Sequence, residues 1–200
     1  MTIDIDEVKV ARGGAGLWLG WALATAAGMA LGFVPPLLLA PEVDLWLFRM
    51  LVPLWAGLLV GLFQWAVLRG YLTHAADWIV NGSGGWALGF SLGLLVIHLL
   101  SGSLIGTILS YLLFGVIVGV IQWPVLRREI PSAFPWVLAS VLGWSLGALT
   151  AQLILMFIAA GSAPSPIIST LVSVVITGLV AGAVTGLALI WITRQPEVPV

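Results

Sequence analysis

The side chains that could carry chemistry are few, and most of them lie inside long apolar runs. Glutamine occurs in such runs at Gln64, Gln122 and Gln152, and His98 is the single histidine within one. An amide in an apolar run can hydrogen-bond a neighbouring helix or line the path of a neutral solute. An imidazole on a helix can ligate a haem or another pigment. These residues therefore suggest three kinds of site: a polar contact between helices, a solute path and a cofactor position at His98.

Hydrolytic and metal-dependent chemistry finds no support in the spacing of the polar residues. Ser83 and His98, the pair that a serine hydrolase would need, lie 15 residues apart, which is about 22 Å along a helix. The chain has no cysteine, and it contains no HExxH pair and no phosphate-binding loop. We predict that the protein is not an enzyme and that it has no metal site.

Composition places the chain in a lipid bilayer. Hydrophobic residues make up 61% of its 200 positions and charged residues only 8%, whereas soluble domains carry about 25% charged residues. The net charge of −1 argues against nucleic acid as a partner, since nucleic acid requires a clustered basic face. We expect the bilayer to be the principal environment of the chain.

Six apolar stretches are each long enough to cross the hydrocarbon layer as a helix, which takes about 20 residues. We expect a single transmembrane domain over residues 14–193, flanked by cytoplasmic tails at 1–13 and 194–200. The predicted spans are about 15–39, 46–68, 78–100, 103–126, 136–160 and 167–192.

The basic residues predict the orientation of these spans. If the N-terminus is inside the cell, six of the seven basic residues lie on the inner face and Arg49 alone lies on the outer face. This asymmetry is the one that the positive-inside rule describes, so we expect both termini to be cytoplasmic. The six inner residues are Lys9, Arg12, Arg69, Arg127, Arg128 and Arg194.

One segment of the sequence recurs. FQWAVLRG at 63–70 returns as IQWPVLRR at 121–128, and 12 of the 29 positions in 61–89 are identical in 119–147. The second part of the unit occurs a third time as WALATAAGMALG at 21–32. We therefore predict an all-α integral membrane protein in which six transmembrane helices form three pseudo-repeated hairpins. A closed bundle is the favoured arrangement, and an open row of hairpins is the alternative.

Glycines spaced four apart occur in every predicted span and indicate close helix packing. Gln64 and Gln122 each lie seven and three residues after such glycines, so we expect both amides to face a neighbouring helix. With Gln152, they are the candidates for polar contacts between helices or for lining a pore.

Tryptophan and arginine mark the predicted inner ends of the spans. An indole ring favours the headgroup layer, and an arginine four residues later can lie over that ring. We assign six residues to this layer as interface anchors: Trp65, Trp78, Trp123, Trp136, Arg69 and Arg127.

The paired motifs QWxVLR and WxxxxxxGWxLG resemble those of a group of small bacterial multi-pass membrane proteins with no assigned activity. The resemblance covers residues 57–150 well and the first and last spans less clearly. It implies a bacterial cytoplasmic (inner) membrane location and a repeated hairpin fold, and it supplies no catalytic residues.

Three functions remain open from the sequence. The first is a structural or accessory membrane protein that packs against a larger complex or a second copy, because packing features are abundant and ionisable groups within the spans are scarce. The alternative is a passive channel or solute-binding component for a neutral or apolar molecule, with the glutamines on its path. The third is a pigment- or quinone-associated subunit, which depends on His98 and the tryptophans. In the first two cases no cofactor is expected.

Overall fold

Every regular secondary-structure element in the part of the chain that the structure describes is an α-helix. The computed structural model describes residues 14–39, 45–101, 103–130, 132–161 and 164–194, so the predicted tail at 1–13 lies outside it, as does all of the predicted tail at 194–200 except Arg194. Each helix boundary lies within one residue of the corresponding predicted span. The helices are α1 (Ala15–Leu39), α2 (Leu45–Leu68), α3 (Asp77–Leu99), α4 (Leu104–Arg127), α5 (Pro135–Ala159) and α6 (Pro166–Thr193).

All six helices are long and apolar enough to cross a membrane. Large apolar side chains such as Leu23, Val80 and Phe157 are exposed on the outside of the helices, where water would disfavour them. In lipid the same surface is well solvated, and a helix satisfies its own backbone hydrogen bonds. The chain is therefore a multi-pass membrane protein.

Local sequence explains where two of the helices begin. The Ser103 hydroxyl accepts a hydrogen bond from the Gly106 N–H at 3.1 Å, which caps the start of α4. Ser165 caps α6 in the same way, and it is followed by Pro166, a residue suited to the first helical position. The connection from α3 to α4 therefore ends in a helix cap at Ser103.

Each helix packs against its neighbours in the sequence, and α1 also packs against α6. Glycine permits the closest of these approaches. A Cβ atom on Gly28 would lie 2.6 Å from the Val60 Cα in α2, and one on Gly115 would lie 2.6 Å from the Val141 Cα in α5. Since neither neighbouring atom belongs to a movable side chain, both positions require glycine for this packing.

The two ends of the helices differ in charge. One end carries four arginines, and we call it the basic end: Arg69, Arg127, Arg128 and Arg194. The opposite end contains the connections around residues 100–103 and 160–165. The loops at 69–76 and 128–134 join helices at the basic end.

Candidate functional site

Three tryptophans from alternate helices meet in the interior near the basic end. Trp21 of α1, Trp78 of α3 and Trp136 of α5 form what we call the tryptophan triad. Their ring centroids lie 5.7, 5.7 and 5.3 Å apart, and the rings contact one another edge to face. Each ring is at most 1% exposed. Aromatic pairs favour this geometry because the positive edge of one ring meets the negative face of the next.

Each indole of the triad donates its N–H to a polar side chain of a neighbouring even-numbered helix. Trp78 donates to Gln64 Oε1 at 2.9 Å, and Trp136 donates to Gln122 Oε1 at 3.3 Å. Trp21 donates to Thr185 Oγ1 at 2.9 Å. These bonds join α2 to α3, α4 to α5 and α6 to α1, and they satisfy donors that lipid could not.

Gln64 also bonds a second helix. Its Nε2 donates to Thr25 Oγ1 of α1 at 2.9 Å, and the Thr25 hydroxyl in turn donates to the Trp21 backbone oxygen. Gln64 is therefore hydrogen-bonded through both ends of its amide. An amide held in this way ties three helices together, namely α1, α2 and α3.

The position of Trp78 and Trp136 differs from the predicted headgroup layer. Both rings lie in the interior, because each indole finds its hydrogen-bond partner on a neighbouring helix and its packing partners in the other two rings of the triad. Trp65 and Trp123 are instead half-buried at the surface. The Arg69 guanidinium lies 5.3 Å from the Trp65 ring centroid, and that of Arg127 lies 5.1 Å from the Trp123 centroid.

His98 and Gln152 lie apart from these contacts. His98 is exposed in the last turn of α3, and Gln152 is exposed on α5. Neither residue lines the cavity described below. The structure thus brings Gln64 and Gln122 to the triad and leaves the other two polar candidates on the outer surface.

A second aromatic layer lies further from the basic end. The rings of Trp86, Phe114 and Trp144 have centroids 5.1 to 5.4 Å apart and are mutually perpendicular. Trp86 is eight residues past Trp78, which is about 12 Å along α3. We call this layer the aromatic floor, because a cavity opens on its far side.

The cavity has a volume of about 380 Å³ and lies in the half of the bundle at the opposite end. The aromatic floor and Met29 close it towards the basic end. Phe33 and Phe90 extend its aromatic lining, and Tyr111 contributes the only ring among the lining residues that bears a hydroxyl. Among the residues that the structure describes, none that lines the cavity is charged.

One wall of the cavity differs from the rest in chemistry. The first four turns of α6 contribute four hydroxyl-bearing side chains, which we call the hydroxyl wall: Ser169, Thr170, Ser173 and Thr177. In the floor, the buried Trp86 N–H has no hydrogen-bond partner among the described residues. The cavity thus combines aromatic surfaces with a single row of hydroxyl groups, a lining suited to a mostly apolar molecule that carries a few oxygen atoms.

The two loops at the basic end are held together by side chains. The Glu129 carboxylate accepts hydrogen bonds from the Thr73 N–H and the His74 N–H, both at 2.9 Å, and it lies 3.1 Å from the His74 ring Nδ1. Arg128 forms an ion pair with Asp77 beside it. Partial burial acts to raise the pKa of Glu129, but the hydrogen bonds and the His74 ring outweigh it and lower that pKa.

The lowered pKa predicts an acid sensitivity of the loop contact. The ionised carboxylate stabilises the fold above the unfolded-state pKa, about 4.3 for glutamate, and this contribution is lost as the pH falls through the lower folded-state value. We expect Glu129→Gln, which keeps an acceptor oxygen but does not titrate, to remove this part of the acid dependence of stability. The free energy of unfolding in mixed micelles, followed from about pH 6 to about pH 3 for both proteins, measures this acid dependence. An identical pH dependence in both proteins would contradict the assignment.

Thr185 is a functional position that the sequence analysis missed. It lies seven residues past Gly178 and three past Gly182, the spacing that Gln64 has from its own glycines. That spacing alone could have identified it. The hydroxyl wall gave no comparable signal, because serine and threonine are common in transmembrane helices and the row follows no motif.

Comparison with known proteins identifies no relative: no protein-family model, no curated protein and no solved structure matches the chain.

Proposed function

We propose that the protein binds a small, neutral, largely apolar molecule in the cavity between the aromatic floor and the opposite end. The observation that carries this proposal is the lining, in which aromatic rings face a row of hydroxyl groups and no described residue carries a charge. Its volume of about 380 Å³ lies within the range of about 300–1,000 Å³ typical of small-molecule sites. A charged ligand would be left without a counter-ion there, at a large cost in free energy.

The proposed role is to hold the ligand and not to conduct it through the membrane. The aromatic floor and the tryptophan triad are two successive layers of packed rings between the cavity and the basic end. Gln64 and Gln122, candidates for lining a pore, use their amide oxygens to accept from the triad. This arrangement favours the solute-binding form of the hypothesis over a passive channel.

Our proposal for the architecture is a closed bundle of three related hairpins, one of them formed by α6 and α1. Its support is the threefold recurrence of one contact, in which an indole N–H of an odd-numbered helix bonds a polar residue of an even-numbered helix. The packing of α1 against α6 is the contact that closure requires. We place the basic end in the cytoplasm, because arginine accumulates on that side of bacterial inner-membrane proteins.

The other two functions raised by the sequence stay predictions. An accessory subunit would need a partner surface, and the exposed apolar side chains fit lipid as well as protein. A pigment held by His98 would have to bind outside the cavity, because His98 is exposed and does not line it.

Binding of 2-naphthol, a neutral two-ring molecule with one hydroxyl, tests the proposed function. We expect saturable binding to the protein in nanodiscs, above the partitioning measured in empty nanodiscs. Ser173→Phe, which fills the cavity from the hydroxyl wall, should weaken binding about tenfold or more, because the added ring occupies the ligand's volume. Fluorescence of the bound naphthol measures its affinity for the unaltered protein and for the Ser173→Phe variant.

Leu187→Phe is the matched control, since it adds a ring to the exposed side of the same helix. It should bind 2-naphthol as the unaltered protein does. Size-exclusion chromatography and unfolding in mixed micelles establish that both variants are folded. If a folded Ser173→Phe variant binds as tightly as the control, the cavity is not the binding site.

A further inference from the structure

We infer that the natural ligand is a ring-headed lipid, whose head occupies the cavity and whose hydrocarbon tail lies between α3 and α4. This inference rests on the proposed function and adds the chemical class of the ligand and its route. It follows from a second, smaller cavity beside the first, from the exposure of the helices around it and from the distribution of hydroxyl groups.

The second cavity has a volume of about 120 Å³ and lies between α3 and α4. It shares three aromatic side chains with the main cavity, namely Phe90, Tyr111 and Phe114. The two spaces therefore adjoin, and only these side chains separate them. We call the smaller space the α3–α4 cleft.

Glycine and aliphatic residues make the α3–α4 cleft smooth and apolar. Gly89 and Gly93 line it from α3, together with Leu94 and Ile97. A Cβ on Gly93 would lie 3.5 Å from the Ser110 Cβ of α4, an ordinary van der Waals distance, so the two helices touch at this point and the space of the cleft lies beside that contact. The Ser110 hydroxyl is already bonded to the Thr107 carbonyl oxygen.

The cleft reaches the lipid-facing surface of the bundle. Tyr111, which lines both spaces, is 41% exposed. Leu95 of α3 and Ile108 of α4 are exposed apolar residues at the same level. A chain that leaves the main cavity through the cleft therefore enters the hydrocarbon layer and needs no passage through water.

The main cavity is suited to the head of such a molecule. Its rings can stack on a flat ring, and aromatic side chains favour this contact. Ser169, Ser173 and Thr177 are spaced four apart on one face of α6, so their hydroxyls can reach oxygen atoms along one edge of that ring. A quinone or phenol ring with a hydrocarbon tail has this distribution of polar and apolar atoms.

Displacement of 2-naphthol in nanodiscs tests the inference with two probes that share one head. They are 2,3-dimethoxy-5-methyl-1,4-benzoquinone and its 6-decyl derivative. With concentrations expressed per mole of lipid, so that partitioning cancels, the decyl compound should displace the naphthol at a concentration about tenfold lower, because only its tail contacts the cleft. Equal displacement by the two probes would overturn the inference.

Two variants fill the cleft from different positions, Gly93→Leu and Ile97→Trp. We expect either variant, once shown to be folded, to keep 2-naphthol binding and to lose the advantage of the decyl probe. An advantage that persists in a folded variant would show that the tail lies elsewhere. The comparison of the two probes in the unaltered protein decides the inference even if neither variant folds.

Failure of the inference and failure of the proposed function give different results. If 2-naphthol binds saturably and both quinones displace it equally, the cavity is a binding site but its ligand is not a tailed lipid. If 2-naphthol does not bind above the level of empty nanodiscs, the proposed function fails and the lipid assignment fails with it.

Discussion

Replacement of Trp78 by alanine should lower the free energy of unfolding by about 3–5 kcal/mol, the range for removal of a large buried aromatic side chain. Trp78 is fully buried and contacts both other rings of the tryptophan triad edge to face. Its loss would leave a cavity at the centre of three helices, and it would leave Gln64 Oε1 without its donor. Reversible unfolding in mixed micelles of detergent and dodecyl sulfate measures the change.

Two further substitutions separate the parts of this effect. Trp78→Phe keeps one aromatic ring in the triad and removes the N–H together with part of the indole's volume, so it should cost less than Trp78→Ala but at least about 1–3 kcal/mol, the cost of one unsatisfied buried acceptor. Trp65→Ala removes a half-buried ring at the surface, so it should cost less than Trp78→Ala. If Trp65→Ala and Trp78→Ala destabilise the protein equally, the triad is not a stabilising centre.

Replacement of Gly115 by alanine should destabilise the protein by about 1–3 kcal/mol, the usual range for overpacking. The new Cβ would lie 2.6 Å from the Val141 Cα and 2.9 Å from the Ser140 carbonyl oxygen. Both are backbone atoms of α5, so these close contacts can be relieved only if that helix moves away from α4. The same unfolding measurement reports the loss.

Gly84→Ala is the matched control for this prediction. A Cβ at Gly84 would meet nothing within 4 Å, and alanine favours a helix over glycine by about 1 kcal/mol. The control should therefore be neutral or slightly stabilising, although it makes the same change in another transmembrane helix. Destabilisation of both variants to the same extent would show that α4 and α5 do not pack as closely as Gly115 and Val141 indicate.

The helices and their ends could be predicted because hydropathy, span length and turn residues are properties of the local sequence. An apolar run long enough to cross a bilayer leaves the backbone one efficient way to satisfy its hydrogen bonds, which is a helix. Pro135 and Pro166 each stand at the start of a helix in the structure, where proline suits the first helical position. The spacing of Gln64 and Gln122 from their glycines predicts that the amides face other helices, and in the structure each amide oxygen accepts a hydrogen bond from a tryptophan of a neighbouring helix.

The direction in which each tryptophan points could not be predicted in the same way. In a soluble protein, polar residues mark the outward face of a helix, whereas here lipid and protein interior are both apolar and the pattern carries no such mark. Trp65 and Trp78 therefore looked alike in the sequence, yet one lies at the surface and the other at the centre. The rotation of each helix follows from contacts with its neighbours, such as the bond from Trp78 to Gln64.

The cavity depends still more on the assembled helices. Its floor combines Trp86, Phe114 and Trp144 from three helices, and its hydroxyl wall comes from a fourth. These residues lie far apart in the chain, and no local pattern links them. The sequence was sufficient for membrane insertion and helix length, since each depends on one segment and its solvent. The cavity required the packing of several segments, because a space between helices is a property of none of them alone.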